Sequence, residues 1–158
     1  MENVQLEGVE IGYRNFSGRE TEFNAKGSRE FVTFLPEDVA LDMQSLGWNI
    51  KSSTPREEGD AVRYYLPCFV RLDSEFRPAH VVMVTSNGRI TMTDETISSL
   101  DYVEISNVDI IVRPYEWTHR NKTGVKAMVQ SMYVTIVEDP LSLKYNSIPE
   151  VGQTPEVN

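Results

Sequence analysis

The chain has 158 residues, 40% of them hydrophobic and 25% charged, with a formal net charge of −9. That length fits one domain with a buried core, and the composition is ordinary for a soluble globular protein. No apolar run is long enough to span a bilayer, the start MENVQLEGVE is acidic where a secretory signal is basic, and the lone Cys68 excludes an internal disulfide, so a reducing cytoplasm is the expected home.

The expected elements run as follows. Residues 3–13 put Val4 and Leu6 on one phase and Val9, Ile11 and Tyr13 on the other. The slip falls at Gly8, which predicts a long first strand bent by a bulge. Residues 14–30 (RNFSGRETEFNAKGSRE) lack apolar periodicity and read as a long loop or loosely paired ribbon. Glu30–Leu35 is a second strand. A helix follows in PEDVALDMQSLGW, with Pro36 suited to its first position, Val39, Met43 and Leu46 as its apolar stripe, and Gly47 as its stop. Trp48–Ser52 is expected to be a short strand.

Ala61–Leu72 (AVRYYLPCFVRL) is a strand with two faces. Val62, Tyr64, Leu66, Cys68 and Val70 share one, while Arg63, Tyr65, Phe69 and Arg71 share the other. His80–Thr85, a tight turn at SNGR, and Ile90–Met92 come next, and DETISSLDYV reads as a brief helix. Glu104–Glu138 is the dominant stretch, a long hairpin with a multi-residue loop in THRNKTG. On its first strand Val108, Ile110 and Val112 point to the core, and Ile111, Arg113, Tyr115 and Trp117 point away. Pro67 and Pro114 each imply an edge or a bulge. Residues 1–140 form the domain, and 141–158 read as a flexible, mildly acidic tail without helix support.

Mainly β, with one or two short helices, five or six barrel strands and a long C-terminal hairpin, the chain suggests a small closed barrel. An acidic total argues against nucleic acid, but the distribution of charge decides. Residues 13–29 hold Arg14, Arg19, Lys26 and Arg29 against Glu20 and Glu22, and 113–126 hold Arg113, Arg120, Lys122 and Lys126 against Glu116 alone. Asp94, Glu95, Asp101, Glu104 and Asp109 meet no cation within 94–109. Cations interleaved with rings suit an unpaired nucleic-acid strand, the rings stacking on bases and the cations meeting phosphates. The candidate contacts are Arg14, Phe16, Arg19, Phe23 and Lys26 in the first loop, and Arg63, Tyr65, Phe69 and Arg71 on the divided strand. Arg113, Tyr115, Trp117, Arg120, Lys122 and Lys126 complete the set on the hairpin. The structural alternative is that these rings, Phe16 and Phe23 above all, only fasten loops to the body.

No phosphate-binding loop or dinucleotide fingerprint occurs, and His80, His119 and Cys68 do not form a zinc spacing. The sequence therefore gives no catalytic residue, no metal site and no cofactor, and the expectation is a protein that is not an enzyme.

The segments NFSGRETEFNAKGSREFVTFLPEDVALDMQSLGWNIK, EGDAVRYYLPCFVRL and DIIVRPYEWTHRNKTGVKAMVQSMYVTIVED resemble single-stranded DNA-binding proteins of bacteriophages. That resemblance implies an OB-like barrel that coats single-stranded DNA during phage replication or recombination, with little sequence preference and no membrane contact. It leaves open a second copy of the chain, or replication and recombination proteins, as partners. Two other readings compete. A protein-interaction module would use the acidic 94–109 surface, and a metal-dependent nuclease would use scattered carboxylates.

Overall fold

The computed structural model describes residues 1–22, 24–53 and 57–151. In chain order these form β1 (Val4–Asn15), β2 (Arg29–Leu35), α1 (Glu37–Ser45), β3 (Lys51–Ser52), β4 (Tyr64–Val70), β5 (His80–Thr85) and β6 (Gly88–Thr91). A 3-10 turn (Ile97–Asp101), β7 (Ile105–His119), β8 (Lys122–Ile136) and α2 (Pro140–Tyr145) complete the chain. The strands lie in the order β3-β4-β2-β1-β7-β8-β5-β6, and β4 also pairs with β8. That extra pairing closes β4-β2-β1-β7-β8 into a five-stranded barrel, the OB-like architecture that the family resemblance implies. β3 extends it beside β4, and the β5–β6 hairpin extends it beside β8.

The barrel interior is filled by alternate residues of each strand, as the pleat requires. Leu66, Cys68 and Val70 of β4 meet Phe31 and Thr33 of β2, Val108, Ile110 and Val112 of β7, and Ala127, Val129, Met132 and Val134 of β8. β1 bends where expected. Gly8 has φ +64°, the β1–β7 register shifts between Leu6 and Val9, and the freed Gly8 N–H donates to Asp109 at 2.8 Å.

The hairpin differs from expectation at its tip. Instead of a multi-residue loop, β7 and β8 stay paired to His119 and Lys122, and only Arg120 and Asn121 turn the chain. Both have left-handed φ values, 49° and 64°, as a two-residue turn matched to strand twist demands. Pro114 sits just past Val112, the last β7 residue paired with β1, so beyond it the hairpin projects with one side open. Pro67 lies between the β4 residues that pair with β3 and those that pair with β8. Both prolines thus stand where a ladder changes partner or ends.

Helix α1 also departs in detail. Pro36 is its N-cap, Ala40 and Met43 are the buried residues, and Leu46 is exposed. Gly47 adopts φ +105°, and the N–H groups of Gly47 and Trp48 return to the carbonyls of Gln44 and Met43. This closure turns Trp48 into the core in place of Leu46, which confines the following strand to Lys51–Ser52.

Two segments are more ordered than the sequence suggests. In the first loop the buried Asn24 amide donates to the carbonyls of Arg19, Ala25 and Ser28, and Asp101 accepts from Phe16 N–H, Ser17 N–H and the Ser17 hydroxyl. The tail begins with α2, whose N-cap Asp139 accepts from Leu141 N–H. Asn146 then donates to the Ser86 hydroxyl, which itself donates to Glu138. The expected loose tail therefore starts as a short helix tied to the β5–β6 turn, while residues 152–158 fall outside the described residues.

Candidate nucleic-acid interface

The outer face of the barrel carries the candidate site where β4, β8 and β7 run side by side. Phe69 on β4 is level with Met128 on β8, which is level with Arg113 on β7. One step along, Lys126 of β8 is level with Tyr115 of β7. Residues level with one another on neighbouring strands project to the same side of a sheet. Phe69, Arg113, Tyr115 and Lys126 thus share one surface, and the Lys126 ammonium sits 4.9 Å from the centre of the Phe69 ring. A bulge in β8 helps to shape this surface. Ile111 is level with Ser131 but Val112 with Val129, so Gln130 is the extra residue, and Ala127, Met128 and Val129 are buried in succession.

These residues floor a cleft of about 540 Å³. Its further lining comes from Gly27 to Arg29 at the start of β2, from Arg71 just beyond β4, and from Asp73, Ser74, Phe76 and Arg77 in the connection to β5. Five cations (Arg29, Arg71, Arg77, Arg113 and Lys126) line it with Asp73 as the one carboxylate among the lining residues. Arg29 is already engaged, 3.5 Å from Asp94. The other cations make the cleft locally positive on an acidic protein.

Of the residues expected from sequence, the cleft brings together Phe69, Arg71, Arg113, Tyr115 and Lys126. Trp117 continues the Tyr115 face along the hairpin and lies across Gly124, where an added Cβ would fall 2.7 Å from the indole nitrogen. Arg120 and Lys122 are exposed at the hairpin tip, and Lys26 is exposed beside Gly27 at the cleft rim.

Tyr65 shares the outer face of β4 with Phe69 but belongs to a neighbouring cluster. Its ring packs edge-on to Phe34 at 6.3 Å, Tyr13 is 6.4 Å from the same Phe34, and Arg63 lies over Phe34 at 3.8 Å while pairing with Glu10 at 2.7 Å. Arg63 and Tyr65 therefore stand outside the cleft, beyond Pro67.

The first loop is corrected most. Phe16 is 0% exposed, stacked on Phe31 at 5.1 Å, and is a core residue with no face for a base. Arg14 is drawn inward and donates to the carbonyls of Leu100 and Val103 at 2.9 and 2.7 Å, bracing the 3-10 turn. Arg19 is exposed, and its backbone anchors the amides of Asn15 and Asn24. Phe23 lies outside the described residues.

Sequence reasoning missed Asp73, Ser74, Phe76 and Arg77. The signal was present, since Phe76–Arg77 repeats the ring-plus-cation pattern of β4 and β7, but the segment lacks strand periodicity. Of the five carboxylates in the acidic 94–109 stretch, three have partners within the fold. Asp94 meets Arg29, Asp101 binds the first loop, and Asp109 binds Gly8. Among the described residues, no group of three or more His, Cys, Asp or Glu could hold a metal ion.

A family model described as "Putative phage ssDNA-binding domain" matches residues 1–157. Among solved structures, the single-stranded DNA-binding protein from bacteriophage Enc34 in complex with ssDNA is similar at 11% identity and a TM-score of 0.57, covering 87% of this chain and 88% of that one. A second structure of the single-stranded DNA-binding protein from bacteriophage Enc34 is similar at 12% identity and a TM-score of 0.54, over 97% of this chain and 87% of that one. Such identities establish the shared fold. No curated protein matches the sequence.

Proposed function

The chain belongs to the phage ssDNA-binding domain family, and from that premise we propose that the cleft between β4, β8 and β7 is where it holds the unpaired strand. Bases stack on Phe69 and Tyr115, and Arg71, Arg113 and Lys126 meet the phosphates. Trp117, Arg120 and Lys122 extend the track along the hairpin, and Lys26 meets the strand at the rim. The observation that carries this reading is the alignment of Phe69, Met128 and Arg113 across three adjacent strands, with Lys126 over the Phe69 ring. Every base has a π-face and every nucleotide a phosphate, so such a surface binds with little regard to sequence.

The protein acts by coating: it keeps strands unpaired in phage replication or recombination, in the cytoplasm of the infected cell, and performs no chemistry on them. Among the described residues no helix is long and apolar enough to cross a membrane. The competing protein-docking reading would use the 94–109 carboxylates, of which Asp94, Asp101 and Asp109 already have partners within the fold.

Titration with oligo-dT under intrinsic fluorescence tests the proposal. Trp48 is buried, whereas Trp117 lies on the hairpin track, so quenching reports on Trp117. Quenching that weakens as salt rises is the expected result. No quenching together with no mobility shift at low salt would refute it.

A further inference from the structure

Residues 71–79 link β4 to β5 and form a second wall of the cleft whose first wall is the β7–β8 hairpin. We propose that this connection is a clamp, in which Phe76 stacks on a base and Arg77 takes a neighbouring phosphate, gripping the strand against Tyr115 and Lys126. The proposal rests on the reading of the cleft as the DNA site and adds to it a gripping element outside the barrel strands.

Phe76 is 72% exposed, although a large ring gains most by burial. The connection is nevertheless built to hold it out. The Ser74 hydroxyl donates to the Phe76 carbonyl at 2.6 Å, Phe76 N–H returns to the Ser74 oxygen at 3.2 Å, and Ala79 N–H closes the base on the Arg71 carbonyl at 2.8 Å. Arg77 then adopts φ 53°, a left-handed conformation that costs a residue with a Cβ, and this sets its guanidinium 4.9 Å from the Phe76 ring centre. The pairing repeats that of Lys126 and Phe69, also at 4.9 Å. The floor of the cleft and its second wall thus each carry a ring with a cation beside it. An apolar protein partner would suit Phe76 alone. It would not suit a ring set among Arg71, Arg77, Arg113 and Lys126, which calls for a polyanion that also has flat apolar faces. An unpaired nucleic-acid strand has both, whereas in a duplex the base faces are already stacked on one another.

The test uses the full chain, labelled oligo-dT and a duplex of equal length, with Phe76→Ala and Arg77→Asn. Asparagine tolerates the left-handed backbone, so the second change removes the charge and keeps the turn. Phe76→Ala should weaken single-strand binding by about tenfold to a hundredfold at unchanged salt dependence, and leave duplex binding as it was. Arg77→Asn should make the slope of log K against log salt shallower by about 0.7. In the wild-type protein, saturating oligo-dT should slow amide exchange across 71–79. If both variants bind as the wild type does while Arg113→Ala weakens binding, the clamp is overturned and the cleft stands. Unchanged exchange across 71–79 on saturation would overturn it equally, without recourse to any variant. A wild-type chain that binds no single strand would remove the clamp and the cleft reading together.

Discussion

Lys126 is the most informative single position, because it joins the two physical terms expected of the cleft. Its ammonium lies 4.9 Å from the Phe69 ring centre, and its backbone is level with Tyr115. With Arg29 tied to Asp94, the cations left facing the cleft are Arg71, Arg77, Arg113 and Lys126. If each neutralises one phosphate, these four together contribute about −2.8 to the slope of log K against log salt, a loss of about fiftyfold between about 50 and 200 mM. Lys26, Arg120 and Lys122 along the track steepen it further. Lys126→Ala should make the slope shallower by about 0.7. The variant should also lose the contact that steadies Phe69, a further cost of about 0.5–1 kcal/mol, so affinity falls even at high salt where the phosphate contribution has faded. Lys126→Arg should restore most of both effects. Anisotropy of labelled oligo-dT across a salt series measures slope and intercept together. A wild-type slope near zero, or a Lys126→Ala slope equal to the wild type's, would refute the placement of the strand in this cleft.

Three further outcomes follow from groups outside the cleft. Phe16→Ala should cost about 3–5 kcal/mol, because it empties a fully buried site stacked on Phe31, and a melting temperature equal to the wild type's would restore Phe16 as a surface residue. Burial pushes the Cys68 thiol up to about 12 against the opposing hydrogen bonds from Thr33, so a thiol reagent at neutral pH should react only as fast as the barrel opens; rapid labelling of folded protein would contradict its place in the core. Hydrogen bonds from the Ser86 hydroxyl and N–H hold the Glu138 carboxyl below its ordinary value, so this contact favours the folded state above the unfolded carboxylate pKa and is lost as pH falls through the lower folded one. Protection of the Ser86 amide should therefore disappear on acidification in the wild type and be weak at every pH in Glu138→Gln; protection that survives strong acid would refute the linkage.

What was legible in the sequence was what strict periodicity or backbone chemistry writes locally. The inward sets Val108–Ile110–Val112 and Leu66–Cys68–Val70 follow from alternation, and the bend at Gly8 from a phase slip. The hairpin tip was misjudged because Arg120–Asn121 lacks the glycine that usually marks so tight a turn, and pairing therefore seemed to end sooner. Phe16 was misread because nothing local distinguishes a ring that fastens a loop from one that displays itself. The distinction comes from Asp101, far along the chain, which draws Phe16 and Ser17 onto the 3-10 turn. The Phe76–Arg77 wall was missed for the converse reason. Its conformation depends on Ser74 and on closure between Ala79 and Arg71, which no periodic pattern announces.

The acidic total is compatible with a positive cleft because several carboxylates have partners away from it. Asp101 and Asp109 accept backbone N–H groups, Asp94 and Glu10 meet arginines, and Glu138 meets Ser86, whereas Arg71, Arg77, Arg113 and Lys126 face a cleft with Asp73. Part of the negative charge thus serves the scaffold, while these four cations face the opening. At about 0.15 M salt the screening length is about 8 Å, so a strand in the cleft responds to the local cations and little to the distant body. At about 0.01 M it is about 30 Å, and the full charge of −9 then reaches the incoming polyanion. Binding should therefore strengthen as salt is lowered and then level off or weaken at the lowest concentrations, where repulsion from the body offsets the cleft. Neutralising exposed carboxylates remote from the cleft, as in Glu57→Gln with Glu58→Gln, should move that turning point to lower salt while leaving affinity at about 0.15 M unchanged. A line that stays straight to the lowest salt, for wild type and variant alike, would show that the strand never feels the acidic body and would remove this account of how such a chain binds DNA.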